Sequence, residues 1–144
     1  MANSTQYAKT VAASPSKIST TELHGRVRVA YADFTSAAAQ ETINMFKLPD
    51  GARIIGGRLN HAALGSSTTV SIGHAAYVNA AGTTVALDVD EYKAAASSAS
   101  VGAVNIAATT ALGENSVVDA PDGLIVTATT AGADAAGLIT VQMT

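Results

Sequence analysis

The chain contains no cysteine and no tryptophan, and only 4% of its 144 residues are aromatic. The missing cysteine removes disulfides, thiolate metal sites and cysteine nucleophiles in one step, and leaves cohesion to packing. With four tyrosines and two phenylalanines, a cleft lined by aromatic sugar platforms is poorly supplied, which counts against glycoside hydrolysis. Charge is scarce too. Asp, Glu, Lys and Arg make up 13% of the chain, about half the share usual in globular domains. The net charge is −3 and the basic residues are scattered, so nucleic acid is not an expected partner, because phosphate binding needs a basic stripe. No apolar run approaches the length of a transmembrane helix. The first residues also lack the charged-then-apolar pattern of a signal peptide, so neither a membrane role nor export by that route is expected.

Catalytic patterns are missing as well. There is no Gly-x-Ser-x-Gly elbow, no Gly-x-x-x-x-Gly-Lys phosphate loop and no Gly-x-Gly-x-x-Gly fingerprint. Gly65-Ser66-Ser67 reads as a loop between strands. Of the three histidines, His24, His61 and His74, the last two fall on successive predicted strands and would approach if those strands pair. A zinc site would still need a third ligand, such as Asp88 or Asp90. Hydrogen-bonded histidines at strand ends or at an interface are the plainer reading. Asp88-x-Asp90-Glu91 begins like a calcium loop, but Tyr92 and Lys93 stand where Asx and Gly would continue it. A helix cap explains these acids better. No enzyme activity, cofactor or metal is expected.

What the chain does have is a hydrophobic fraction of 48%, much of it alanine. Such a core is thin, and self-association is a usual remedy. Residues 1–21 are rich in Ser, Thr and Ala around isolated Tyr7, Val11 and Ile18. They show no sustained period and read as an extended N-terminal arm that needs another surface to order it. A domain over 22–144 follows.

Period-two alternation predicts a strand over Arg26–Phe34, with Val27, Val29 and Tyr31 on the apolar face and Arg26 and Arg28 opposite. Ser36–Gln40 reads as a small-residue connector. Glu41–Leu48 reads as a strand of unsettled register, because adjacent Met45 and Phe46 cannot share a face. Leu48-Pro49-Asp50-Gly51 is a turn. Arg53–His61 is then a strand interrupted by Gly56 and Gly57, which mark a bulge or a close backbone approach. A small-residue loop joins it to a strand over Thr68–Gly73, as a hairpin. Further strands are read over Thr83–Leu87, Ser116–Val118, Leu124–Thr129 and Leu138–Met143, with weaker alternation over 100–111. One short helix is predicted near 89–97. Eight or nine short strands between Gly, Pro and Asn turns predict an all-β fold, an antiparallel β-sandwich or barrel.

The stretch Leu48-Pro49-x-Gly51-Ala52-Arg53-Ile54-Ile55-x-Gly57, then Ala63-Leu64-Gly65-x-Ser67-Thr68-Thr69 followed by an apolar residue and glycine, resembles the capsid decoration (cement) proteins of tailed bacteriophages. The resemblance is strongest over residues 44–96 and includes GHAAYVNAAGTTVALDVDEYKAAA. It implies a jelly-roll-like sandwich and a non-enzymatic virion protein, assembled in the host cytoplasm, on the outer capsid surface. It would bridge capsid subunits there, with the major capsid protein and itself, as a homotrimer, for partners. A head-fibre or receptor-binding, glycan-binding module is the alternative. The residues expected at interfaces are Tyr7, Lys9, Lys17 and Ile18 of the arm. Arg26, Arg28, Arg53 and Arg58 are expected to reach acidic groups at the rim of the contact.

Overall fold

The computed structural model describes residues 26–144. The expected arm over 1–21, the domain boundary at 22, and Tyr7, Lys9, Lys17, Ile18 and His24 lie outside the described residues.

Two four-stranded antiparallel sheets make a sandwich. One contains β1 (Ala30–Ala39), β10 (Ala135–Met143), β3 (Gly57–His61) and β8 (Gly102–Ile106), in the order β1-β10-β3-β8. The other contains β2 (Thr42–Leu48), β9 (Leu124–Ala131), β4 (Thr69–His74) and β7 (Asp88–Ser97), in the order β2-β9-β4-β7. A small hairpin of β5 (Tyr77–Val78) and β6 (Thr84–Val85) stands apart, and a single 3-10 turn spans Thr110–Leu112. Each step between successive long strands crosses from one sheet to the other, except β4 to β7. That winding is a jelly roll.

The core follows from period two on the central strands. Leu59, Ile106, Ile139, Val141 and Met143 point inward from one sheet, and Val70, Ile72, Leu124, Val126 and Ala128 from the other. The bulge between Asn44 and Phe46 resolves the Met45–Phe46 conflict, because the extra residue lets both side chains pack half-buried against the core.

Three sequence expectations are corrected. The strands before and after the Gly65 loop do not form a hairpin, since β3 and β4 belong to different sheets. Thr68 Oγ1 donates to Gly65 O at 2.7 Å, and Leu64 N donates to Ser98 O, so the loop caps one end of the sandwich instead. Residues 89–97 are not a helix but most of β7, paired with β4 through Thr69↔Ser97, Val70↔Ala96, Ile72↔Lys93 and His74↔Asp88. Helix propensity is worth only a few tenths of a kcal/mol per residue here. Leaving the edge of β4 unpaired would forfeit roughly 1 kcal/mol for each ladder bond. Asp88 Oδ1 does accept a backbone hydrogen bond, from Asp90 N at 3.0 Å, but within the bulged start of β7 and not at a helix start.

The third correction is one of parity. β1 begins at Ala30 and runs through the supposed connector to Ala39. Its inward residues are Ala30, Ala32, Phe34 and Ser36, so Val27, Val29 and Tyr31 are exposed, at 69%, 60% and 58%. Phe34 opposite Ile139 sets that register, and a shift of one residue would turn Phe34 out to water.

Candidate functional site

Where the edge strands β1 and β2 meet, the chain leaves an open cleft of about 550 Å³. Its walls are the segment leading into β1 (26–30), the end of β2 with the turn after it (47–55), and Met143–Thr144. The turn is built as its sequence requires: Ala52 N closes onto Pro49 O at 3.2 Å, and Gly51 takes φ +73°. Ile54 is anchored in the core while Ile55, next in sequence, faces solvent. Ile55 N donates to Thr144 O at 2.7 Å, and Thr144 N to Gly56 O at 2.9 Å, which ties the turn to the end of β10.

Arg26, Arg28, Lys47 and Arg53 all line this cleft. They are four of the eight basic residues in the chain. One carboxylate side chain, Asp50, lies with them, and its Oδ1 is already engaged by Ala120 N at 2.9 Å. Three of the arginines named from the sequence are therefore brought together. Arg58 is not among them. It stands on the outer face of the β1-β10-β3-β8 sheet, where its Nε donates to Asn60 Oδ1 at 3.1 Å. Lys47 was not singled out from the sequence; only the turn at Pro49, which folds the end of β2 toward Arg53, makes it part of the cluster. Arg53 is held by Nη1 donating to Asn115 O at 2.9 Å, while its Nε is buried with no partner among the described residues.

The outer face around Arg58 is polar and ordered. Tyr31↔Gln142↔Arg58↔Asn105 forms one cross-strand row, and Asp33↔Thr140↔Asn60↔Ala103 the next. Thr140 Oγ1 donates to Asp33 Oδ1 at 2.6 Å, and Tyr31 Oη to Asp33 Oδ2 at 2.5 Å. These bonds, Thr140 first, hold the Asp33 carboxyl below the usual carboxylate range, and the bond to Asp33 raises the Tyr31 hydroxyl.

Among the described residues the two histidines are not brought together. His61 and His74 sit in opposite sheets, and each ring pairs through Nδ1 with the next residue's carbonyl oxygen, Ala62 O and Ala75 O, both at 2.9 Å. His74 also packs edge-on against Tyr77, with ring centroids 5.3 Å apart. Among the described residues no group of three or more His, Cys, Asp or Glu is placed to hold a metal ion, and no helix is long and apolar enough to cross a membrane. Lys93 is buried on β7, its Nζ donating to Ala94 O at 2.8 Å and Val70 O at 3.4 Å, and burial lowers its pKa.

No protein-family model and no curated protein matches the chain. Solved structures do. The chain is similar to one in the capsid of Ralstonia phage GP4, at 21% identity and TM-score 0.61, with 83% of each chain covered. It is similar to one in the capsid asymmetric unit of cyanophage Pam1, at 19% identity and TM-score 0.55, covering 81% of this chain and 82% of that one. A third likeness is to the acid-stable capsid structure of Helicobacter pylori bacteriophage KHP30, at 18% identity and TM-score 0.52, over 81% and 85% of the two chains. At these identities what is shared is the fold.

Proposed function

We propose that this protein is a non-enzymatic structural component of a phage virion, one that binds the outer surface of the capsid and stabilises it by bridging capsid subunits. The observation that carries this reading is the jelly roll shared, over more than four-fifths of the chain, with chains of three phage capsid structures. The thin, alanine-rich core and low charge support it, because a surface with few charges suits a protein held among neighbours. Attachment to the major capsid protein would use the N-terminal arm, with Tyr7, Lys9, Lys17 and Ile18, and the cleft that follows it in the chain, with Arg26, Arg28 and Arg53. Self-association as a trimer would match the threefold positions of a lattice. The test is to add purified protein to capsids lacking it. Co-sedimentation and a raised capsid melting temperature support the reading, and failure to bind any such capsid contradicts it.

The alternative, a head-fibre or receptor-binding module, draws on the polar outer face with Tyr31, Arg58, Asn60 and Gln142. Ordered side chains around an exposed aromatic ring suit a sugar better than an apolar partner. Glycan-array binding abolished by Tyr31→Ala would favour it.

A further inference from the structure

An open sheet edge is a template for another strand, and folded proteins block such edges with charge, proline or bulges. Three of the four edges of the sandwich are blocked in this way. β1 carries Asp33 and a register break between Ala37 and Ala39, and β2 carries Lys47 and a break between Asn44 and Phe46. β7 carries Asp88, Asp90, Glu91 and Lys93, with two breaks. β8 has none of these. It pairs with β3 without interruption from Gly102↔His61 to Ile106↔Gly57, and no Asp, Glu, Lys, Arg or Pro occurs from Ala94 to Gly113. Among the described residues its backbone bonds to no segment other than β3.

The core is uncovered on the same side. Val104 pairs with fully buried Leu59 and shares the inward face with buried Ile106, yet it is 41% exposed. Ala96, opposite buried Val70 in the other sheet, is exposed as well. Ala107 N donates to Tyr92 O at 2.8 Å, which sets the end of β8 beside β7 on one margin of the sandwich. Val101, just before β8, is 79% exposed. Inward-facing apolar residues left open along an unblocked edge describe a sheet one strand short.

We propose that β8 of one copy pairs antiparallel with β8 of a second copy, about a two-fold axis at Ala103 or Val104, the middle of the strand. Self-pairing of β1, β2 or β7 would set like charges against each other, which destabilises a sheet. At β8 nothing repels. The nearest charge on that sheet is Arg58, one strand back in the row that ends at Asn105. Across the joined edge the two copies of Arg58 stand about 14 Å apart, three strand spacings, beyond the Debye length of about 8 Å at physiological salt. A two-fold of this kind keeps the inward faces on one side, so Val104 of each copy covers the open margin of the other. The contact is isologous. It is short, at the weak end of interfaces below about 1,200 Å², so it forms at high concentration or between copies already held side by side. It uses neither the cleft nor the arm, so it stands or falls apart from capsid binding and from threefold self-association.

The experiment exploits the absence of cysteine from the chain, since one introduced thiol can form a disulfide only with a second copy. Val101→Cys, Ala103→Cys, Val104→Cys and Asn105→Cys are made singly in the full chain, with Val78→Cys on the β5-β6 hairpin, 50% exposed, as the control. Residues directly opposed in an antiparallel pair lie about 4.5–5.5 Å apart, within disulfide reach. Under mild oxidation Ala103→Cys or Val104→Cys should therefore form dimers about tenfold or more faster than Val101→Cys and the control. In the unaltered chain, amide hydrogen exchange over 102–106 should slow as concentration rises about a hundredfold, because pairing covers the free backbone groups of the edge. These side chains are exposed, so circular dichroism should match throughout. Dimers forming no faster at Ala103 and Val104 than at Val78, as when the edge is taken by the arm or by another protein, would overturn the proposal. So would exchange over 102–106 that is independent of concentration.

Discussion

The backbone of β7 at Asp88 lies directly against Gly73 of β4, so closely that a Cβ on Gly73 would overlap the Asp88 carbonyl oxygen and the Val89 carbonyl carbon. This contact presses the bulged start of β7, with its acids, onto the sheet. Gly73→Ala should cost about 1–3 kcal/mol, the usual penalty for overpacking. The check is urea unfolding: a midpoint equal to that of the unaltered chain would mean β7 can move away freely.

Gly57 makes a second close approach, its missing Cβ standing 2.5 Å from Gln142 O and 2.9 Å from Ile106 Cγ1, while neighbouring Gly56 takes φ +148° in open space. Substitution to valine should therefore destabilise at both sites for different reasons, by crowding at 57 and by backbone strain at 56, each about 1–3 kcal/mol. Calorimetry on the two variants decides it.

The Asp33 carboxyl should titrate below the usual carboxylate range, and Thr140→Val should raise its midpoint more than Tyr31→Phe does, since the Thr140 bond is the larger cause. The sign follows from the depressed folded value: the stabilisation is present above the unfolded carboxylate pKa and is lost as pH falls through the folded one. For Tyr31 the direction reverses, its raised pKa making a contribution present below the ordinary tyrosine value and lost as pH rises through the folded value. Carbon-detected NMR titration reads both. Equal midpoints in the two variants would contradict the ordering.

Most strands were legible because their inward residues obey period two. Ile139, Val141 and Met143 share a buried face as read, and so do Thr68, Val70 and Ile72. What failed depended on partners distant in sequence. Val27, Val29 and Tyr31 alternate as well as any buried face, but Phe34 pairing with Ile139 decides which face turns inward. The alanines after Lys93 favour a helix locally, and only the open edge of β4 makes them a strand. The basic cleft was half legible. Its arginines stood out in a chain poor in charge, but Lys47 joined them through a turn whose direction no local pattern states.

On the proposed function, attachment should be mainly apolar at Val27, Val29 and Ile55, with the cations fixing orientation. Apolar area contributes about 25 cal/mol per Å² before association entropy and is not screened by salt. Exposed ion pairs contribute about 0–1 kcal/mol each and are screened. Decorated particles should keep the protein in about 1 M sodium chloride and lose it in moderate guanidinium chloride. Release by sodium chloride alone would show that the arginines dominate.

The most direct measurement of the central claim is an image of the particle that carries this protein, reconstructed by cryo-electron microscopy with and without it. The account predicts jelly-roll density on the outer face of the capsid shell, repeated at lattice symmetry positions and spanning adjacent capsid subunits. Density confined to the tail or to a head fibre, or a shell indistinguishable in the two reconstructions, would contradict it.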